Sequence, residues 1–169
     1  GIVWQLQPGA GVINCVTLSP EDARLAASRC ANSNISYLDA PISGGAIKAG
    51  EGALTIMASG TAEAFQQSRA CLDAMAMTVF ELGDNAGQGS LMKSVNQMLA
   101  GIHIAAMAEA LSFGIKQGLD PQTFLDVIQK CAGTSWMLEN RTPHIIEGDY
   151  SPKSAVNIWL KDLGIVLDA

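Results

Sequence analysis

The strongest constraint on the fold is a change of pattern at Gly83. Before it, short apolar runs alternate with helical segments, and after it every predicted element is helical. Alternating strands and helices are typical of an α/β layer with parallel strand pairing. The predicted strands are GVINCVT (11–17), ISYLDAPIS (35–43, closed by Pro41), LTIMASG (54–60) and MTVFELG (77–83), with helices over 19–31 and 62–75, and the segment KAGEG (48–52) is expected to be a turn.

The second part of the chain carries a helical period. Apolar residues recur at three- and four-residue steps from Leu91 to Phe113, which predicts one long helix over about 89–117, ending near Gly118. A second helix is expected to begin at Asp120, a short one over 135–148 to break at Pro143, and another to fill 154–169. The boundary between the two parts is expected in the loop 83–89. The first predicted strand lacks the earlier strands that a parallel sheet needs, and the last residue falls inside a helical pattern, so we expect truncation at both ends.

Composition excludes several kinds of partner. The 10 Lys and Arg against 16 Asp and Glu leave a net charge of −6, the wrong sign for a nucleic-acid or anionic-membrane binder. No apolar run reaches about 18 residues, and no signal peptide is recognisable. Four widely spaced cysteines do not form a metal or redox motif, and are expected to be small buried residues of a reducing compartment. We therefore predict a cytoplasmic protein without metal, nucleic-acid or membrane partners.

The stretch GDNAGQGSLMKSVNQ (83–97) places glycines before a lysine. It is not a phosphate-binding P-loop, because Met92 and not glycine precedes Lys93. Lys93 is predicted near the positive end of a helix, where the helix dipole and partial burial both lower a lysine pKa and suit it to proton transfer. Asn96 lies on the same helix face. On this stretch alone, a solvated surface lysine remains the favoured explanation.

Two further groups are candidates. Ser43, Gly44 and Gly45 follow a strand, and a hydroxyl beside two unshielded glycine N–H groups suits a carboxylate, although an ordinary glycine turn explains the pattern as well. Lys161 and Asp162 near the start of the last helix are, taken alone, most simply a solvated charge pair.

Together, the stretches DAPISGG…GEGALTIMASG, GDNAGQGSLMKSVNQ and KDLG resemble the β-hydroxyacid dehydrogenase family (3-hydroxyisobutyrate dehydrogenase-like), in the family's order and spacing. The stretch 132–164 is most similar to L-threonate dehydrogenases. The resemblance implies that residues 1–85 are the C-terminal part of a Rossmann-type NAD(P)-binding domain. It also implies that residues 86–169 are a long interdomain helix and the start of an all-α domain.

The resemblance also implies an activity. The expected reaction is hydride transfer between NAD or NADP, with NAD favoured, and a small hydroxy-carboxylic acid such as L-threonate or a similar 2- or 3-hydroxy acid. The family implies a homo-oligomer, a dimer or tetramer. The chain alone is expected to be inactive, because it contains no dinucleotide fingerprint. The alternative is a non-catalytic helical oligomerisation or interaction module of the same descent, against which the retained Lys93 and the acidic charge argue.

The family's functional residues can be carried over where the motifs match. Lys93 would be the catalytic acid/base, and Asn96 would orient the substrate. The substrate carboxylate would be held by Ser43, Gly44 and Gly45. The residues on the cofactor side would be Thr17, Lys161 and Asp162.

Two departures from the family pattern are visible. Asn14 and Val16 stand where the family commonly has Asp-x-Ser, which weakens the expected cofactor contacts there. Some family members carry Asn four residues after the lysine, where this chain has Gln97. Asn96-Gln97 also differs from the His-Asn of the phosphogluconate relatives, which argues against a sugar-phosphate substrate.

Overall fold

The computed structural model describes residues 2–151 and 155–169. Its strands are β1 (Gly11–Asn14), β2 (Ser36–Asp39), β3 (Ile42–Ser43), β4 (Leu54–Ala58) and β5 (Ala76–Glu81). Its helices are α1 (Pro20–Ala31), α2 (Gly45–Gly50), α3 (Ala62–Met75), α4 (Gln88–Lys116), α5 (Pro121–Ile128), α6 (Trp136–Glu147) and α7 (Ile158–Leu167), after a 3₁₀ turn at Ile2–Gln5. The predicted class, a strand-containing Rossmann-type part followed by a long helix and further helices, is confirmed.

The chain forms two compact units. The first comprises Gly1–Asn96 with Val156–Ala169, and the second Gln97–Ala155. These units are defined by contacts within the chain and do not coincide with the expected domains 1–85 and 86–169, which stay a prediction.

The first unit contains two small sheets. Strands β1 and β2 pair in parallel, as do β4 and β5, while the short β3 runs antiparallel to β4. The sheets meet at an antiparallel bridge between Asp39 and Ser59. There the Asp39 N–H donates to Ser59 O at 3.0 Å, and the Ser59 N–H donates to Asp39 O at 2.8 Å. This junction lies at the carboxyl ends of β2 and β4.

The core of the first unit is the apolar side of these strands. Leu38 and Ile56 are fully buried, and Leu72 of α3 packs against them. Helices α1 and α3 each begin where a side-chain cap is available. The Asp22 N–H donates to Ser19 Oγ, with Pro20 at the first helical position, and Thr61 caps α3 in the same way.

The second unit is helical. Its core comprises five buried residues from α4, α5 and α6: Met107, Leu111, Phe124, Leu125 and Leu138. The predicted start of α5 is confirmed, because the Thr123 N–H donates to the Asp120 carboxylate at 2.8 Å.

Two of three expectations about local structure were wrong in whole or in part. The segment 48–52, expected to be a turn, is helical as far as Gly50 and turns only at Glu51 and Gly52, because Gly44 and Gly45, with φ of 137° and 68°, lead the chain directly into helix α2. The strand expected to be closed by Pro41 is confirmed as β2, and a separate short strand, β3, follows Pro41, which has no N–H to donate to a ladder. Helix α6 continues through Pro143, because a proline removes only one hydrogen bond and buried Leu138 and Thr142 hold the helix.

Two other expectations need qualification. Cys30 is buried, but Cys71 and Cys131 are exposed, so the prediction of buried cysteines was wrong for these two. The last helix was predicted over 154–169; α7 begins at Ile158, and residues 152–154 lie outside the described residues.

Helix α4 is long and apolar enough to cross a membrane, judged by length and composition alone. Apolar helices in the cores of soluble proteins meet the same criterion, so this one helix carries no assignment.

Candidate active site

Lys93 is buried in the second turn of α4. Only 8% of the residue is exposed, which contradicts the simplest explanation of a solvated surface lysine. Burial lowers its pKa below the usual lysine range, the nearby charge of Asp162 raises the pKa, and that of Lys161 lowers it. A lysine with a lowered pKa can exchange a proton closer to neutral pH than an ordinary lysine can.

The first half of α4 has an unusual distribution of polarity. Its buried positions are polar, whereas Leu91, Met92 and Val95 are between 42% and 48% exposed. Because residues three and four apart share a helix face, one polar face is turned inward. The buried polar residues are Ser90, Lys93, Ser94 and Gln97. An ordinary amphipathic helix has the opposite arrangement, so this face is a candidate for function more than for packing.

Lys161 and Asp162 join Lys93 in one charged group, the site cluster (Lys93, Lys161 and Asp162). The Lys161 ammonium lies 2.8 Å from Asp162 Oδ1, and Asp162 is only 2% exposed. Since both side chains affect the pKa of Lys93, the three charges sense one another. With all three ionised, two ammonium groups and one carboxylate leave one net positive charge, which favours an anionic ligand.

The cluster is tied to the end of β1. Lys161 Nζ donates a hydrogen bond of 2.8 Å to the backbone oxygen of Thr17. Thr17 therefore contacts the cluster through its main chain, in the loop that follows β1. The structure thus brings together Thr17, Lys161, Asp162 and Lys93, residues that sequence analysis had selected from three separate stretches.

Ser43, Gly44 and Gly45 form the link between β3 and α2. Gly44 must be glycine, because an added Cβ would lie 2.8 Å from Lys48 Cβ and its φ is 137°. Ser43 is half-buried, and its hydroxyl has no hydrogen-bond partner among the described residues. The hydroxyl is therefore available to a ligand, as the carboxylate-binding prediction requires. Asn96, half-buried and three residues after Lys93, shares its helix face.

The departure at Asn14 has a structural role here. Its side-chain amide donates to the Tyr37 hydroxyl at 2.7 Å, and its oxygen accepts from the Val16 N–H. Burial raises the pKa of Tyr37 to about 12, although the hydrogen bond from Asn14 opposes the shift. Asn14 therefore stabilises the end of β1 through hydrogen bonds within the protein.

Sequence analysis missed the residues that hold the start of α4. The fully buried Asp39 carboxylate accepts the N–H groups of Gly87 and Ser90, each at 2.9 Å, and the Ser90 hydroxyl at 2.7 Å. Ser59 Oγ accepts the Gly89 N–H at 2.9 Å. A usable signal was present: the helix begins with Gly-Gln-Gly and has no acidic residue of its own in the first turn.

A cavity of about 530 Å³ in this unit is not lined by the site cluster. It is bordered by Ser36, Tyr37, Gly60 and Gln67, and none of the predicted site residues lines it. No group of three or more His, Cys, Asp or Glu side chains that could hold a metal ion occurs in residues 2–151 and 155–169.

The parallel strand pairs with their connecting helices, followed by the long helix α4, are those of a truncated Rossmann-type fold continued by a helical part. Residues 1–83 match the family described as the NAD binding domain of 6-phosphogluconate dehydrogenase. Residues 87–169 match the family described as NAD-binding of NADP-dependent 3-hydroxyisobutyrate dehydrogenase. The chain belongs to the β-hydroxyacid dehydrogenase family, 3-hydroxyisobutyrate dehydrogenase-like.

The chain is similar to named relatives. It is 49% identical to an L-threonate dehydrogenase of Cupriavidus necator, over 99% of this chain and 57% of the relative, and 44% identical to that of Escherichia coli K12, over 99% and 56%. A crystal structure of 3-hydroxyisobutyrate dehydrogenase from Salmonella typhimurium matches with a TM-score of 0.93 and 45% identity, over 99% of this chain and 59% of that one. The chain thus spans a little over half the length of these relatives.

Proposed function

We propose that this protein is a cytoplasmic NAD(P)-dependent dehydrogenase of a small hydroxy-carboxylic acid, in which Lys93 acts as the general acid/base. The observation that carries the proposal is the burial of Lys93 beside Lys161 and Asp162, which lowers its pKa. L-threonate is the first candidate substrate, since the relatives named above carry that name at 44–49% identity. A homo-oligomeric assembly, a dimer or tetramer, is part of the same proposal.

The proposed proton transfer follows from the cluster. In the oxidation direction, neutral Lys93 accepts the proton of the substrate hydroxyl, and in the reduction direction its ammonium returns that proton to the forming alkoxide. With Lys93 protonated, as in the reduction direction, the cluster carries one net positive charge, which favours a substrate carboxylate nearby. Ser43 donates its free hydroxyl to that carboxylate, and the N–H groups of Gly44 and Gly45 complete the anion site.

The residues at the end of β1 fit a nicotinamide cofactor. In open α/β sheets, ligands bind beyond the carboxyl ends of parallel strands, and Thr17 and Lys161 lie there. These two residues, with Asp162, would border the nicotinamide. When bound, NAD or NADP accepts or supplies the hydride.

The test uses the full-length protein. Reduction of NAD⁺ and of NADP⁺ is followed by absorbance with L-threonate, 3-hydroxyisobutyrate and shorter hydroxy acids. Lys93→Ala is expected to lower kcat by about 10²-fold or more, because general acid–base catalysis contributes roughly 10²–10⁴. Lys116→Ala, an exposed lysine on the same helix, is the matched control and should retain activity. Near-wild-type turnover by folded Lys93→Ala would refute the assignment.

The non-catalytic alternative predicts a different result. An interaction module would give no turnover with any hydroxy acid and either nicotinamide, and Lys93→Ala would leave its association state unchanged. The mass in solution is measured for the wild type and for Lys93→Ala. This measurement completes the comparison and reports the oligomeric state directly.

A further inference from the structure

Asp39 is a fully buried carboxylate that the proposed reaction does not use. Its Oδ2 accepts the N–H groups of Gly87 and Ser90 and, at 3.3 Å, the Ser59 hydroxyl, while its Oδ1 accepts the Ser90 hydroxyl. No cationic side chain is among its hydrogen-bond donors in the described part of the chain. The negative charge is therefore held by main-chain and hydroxyl groups at the start of a helix.

Those donors are the ones that a helix leaves unsatisfied. The first N–H groups of a helix have no partner within it, and a carboxylate is favourable at this positive end. α4 supplies no acidic residue in its first turn. Asp39, which comes from the end of β2, takes the role that a local capping residue would otherwise have.

The anchoring is reinforced by Ser59 and by close backbone packing. Ser59 Oγ accepts the Gly89 N–H, and Ser59 is itself bridged to Asp39 where the two sheets join. An added Cβ at Gly89 would lie 2.9 Å from Asp39 O and closer still to Met57 O. These contacts fix the position of the first turn of α4 along the helix axis, and its rotation about that axis, against the ends of β2 and β4.

The rotation of α4 determines where Lys93 points. Ser90 and Lys93 are three residues apart and share the buried face, so a turn of the helix that releases Ser90 also moves Lys93. Asp39 is also the first residue of the segment that leads, through buried Ala40 and Pro41, to Ser43. One segment thus holds the lysine helix at one end and the candidate carboxylate loop at the other.

We propose that Asp39 is a positioning residue, which fixes the rotation of α4 and so places the Lys93 amine relative to the substrate loop at Ser43–Gly45. The inference rests on the proposed function for its catalytic consequence. The anchoring itself is a property of the fold and is measurable without activity.

The first test is amide hydrogen exchange, read at single residues, in full-length wild type and Asp39→Asn. The asparagine keeps the size of the side chain but presents an NH₂ group where an oxygen accepted hydrogen bonds. Exchange at Gly87 and Ser90 is expected to accelerate roughly tenfold or more, as the loss of a hydrogen bond to a charged group implies. The Ala64 amide, which donates to Thr61 Oγ1 at the start of α3, is the internal reference.

The second test is kinetic. Asp39→Asn is expected to lower kcat about 10²-fold, since a misplacement of about 1 Å can cost this much, while KM and the pH dependence of kcat keep their wild-type positions. Ser90→Ala, which removes the Oδ1 partner, should have the same effect to a smaller extent. Ser68→Ala, a buried serine of α3, is the matched control and should change neither readout.

The outcomes separate this inference from the proposed function. An active Asp39→Asn with unchanged kcat overturns the inference, and so do unchanged exchange rates at Gly87 and Ser90. A loss of kcat that matches a loss of folded protein also overturns it, because Asp39 would then be merely structural. If the wild type turns over no hydroxy acid, the proposed function fails, and the exchange rates alone then decide the anchoring role.

Discussion

Replacing Gly89 by alanine tests the closest backbone contact at the site. Alanine in a helix is about 1 kcal/mol more favourable than glycine, so propensity alone predicts stabilisation. The added Cβ would, however, lie 2.9 Å from Asp39 O, 3.2 Å from Asp39 Oδ2 and closer than either to Met57 O. Two of these three atoms are backbone oxygens of the strand ends and cannot rotate away as a flexible side chain could.

The balance of the two effects gives the expected size. Overpacking typically costs about 1–3 kcal/mol and occasionally more, and a clash with fixed backbone belongs at the upper end. After subtraction of the helix gain, Gly89→Ala should lose about 2 kcal/mol. For a chain of this length each kcal/mol shifts the melting temperature by about 2–4 °C, so the Tm should fall by about 4–8 °C.

Gly164→Ala in α7 is the matched control. It is also a helical glycine, but a Cβ there meets nothing within 4 Å. The same substitution should therefore raise the Tm by about 2–4 °C. Thermal unfolding followed by circular dichroism measures both variants. If Gly89→Ala melts at or above the wild-type temperature, the close approach of α4 to the strand ends is refuted, together with the steric part of the argument.

Two further predictions concern the chemistry of the site. Ser43→Ala should raise KM for carboxylate substrates roughly tenfold with little change in kcat, because a hydrogen bond to a charged group is lost; steady-state kinetics with an unchanged KM would remove Ser43 from the site. Because the folded-state pKa of Lys93 is lowered, kcat/KM for oxidation should rise with pH below the usual lysine value of 10.5, and that for reduction should fall over the same range. The unfolded chain binds more protons than the folded one in that window, so wild-type stability should increase with pH relative to Lys93→Met, measured as the difference between their Tm values. The difference between the two Tm values is the correct readout. Burial raises the pKa of Tyr37 to about 12, which lowers the stability of both proteins above about pH 10. A pH-independent difference would contradict the lowered pKa.

Local chemistry made much of the fold predictable. Ser19-Pro20 and Asp120-Pro121 carry their helix-start signals in adjacent residues, and both helices begin where those signals indicate. The long α4 was predictable because its period extends over many residues. Helix α2 was missed, because glycines ordinarily indicate a turn, and the sequence does not show that the positive φ values of Gly44 and Gly45 are followed by a helical course.

The residues of the candidate site could be proposed from the sequence, but the contacts among them could not. Lys93 taken alone favoured a surface position, because burial depends on what covers a side chain and not on its neighbours in sequence. Lys161 reaches Thr17 across 144 positions in the chain, a contact that only the fold creates. From the sequence, Asp39 is only a residue near the end of a strand, because its hydrogen-bond donors lie about 50 residues away along the chain.

The segment from Asp39 to Ser43 is attached to α4 at one end and to the candidate carboxylate loop at the other. Its length therefore constrains the site independently of which residues it contains. Conservative exchanges among the three intervening apolar residues change only packing volume. Inserting or deleting one residue between them would leave Asp39, Ser43 and Lys93 chemically intact, yet it would offset the loop from the lysine by about 3.3 Å, the rise of one extended residue. In this fold the segment therefore acts as a spacer of fixed length. A one-residue change in its length should disturb the placement of the loop relative to Lys93 more than any single apolar substitution within it.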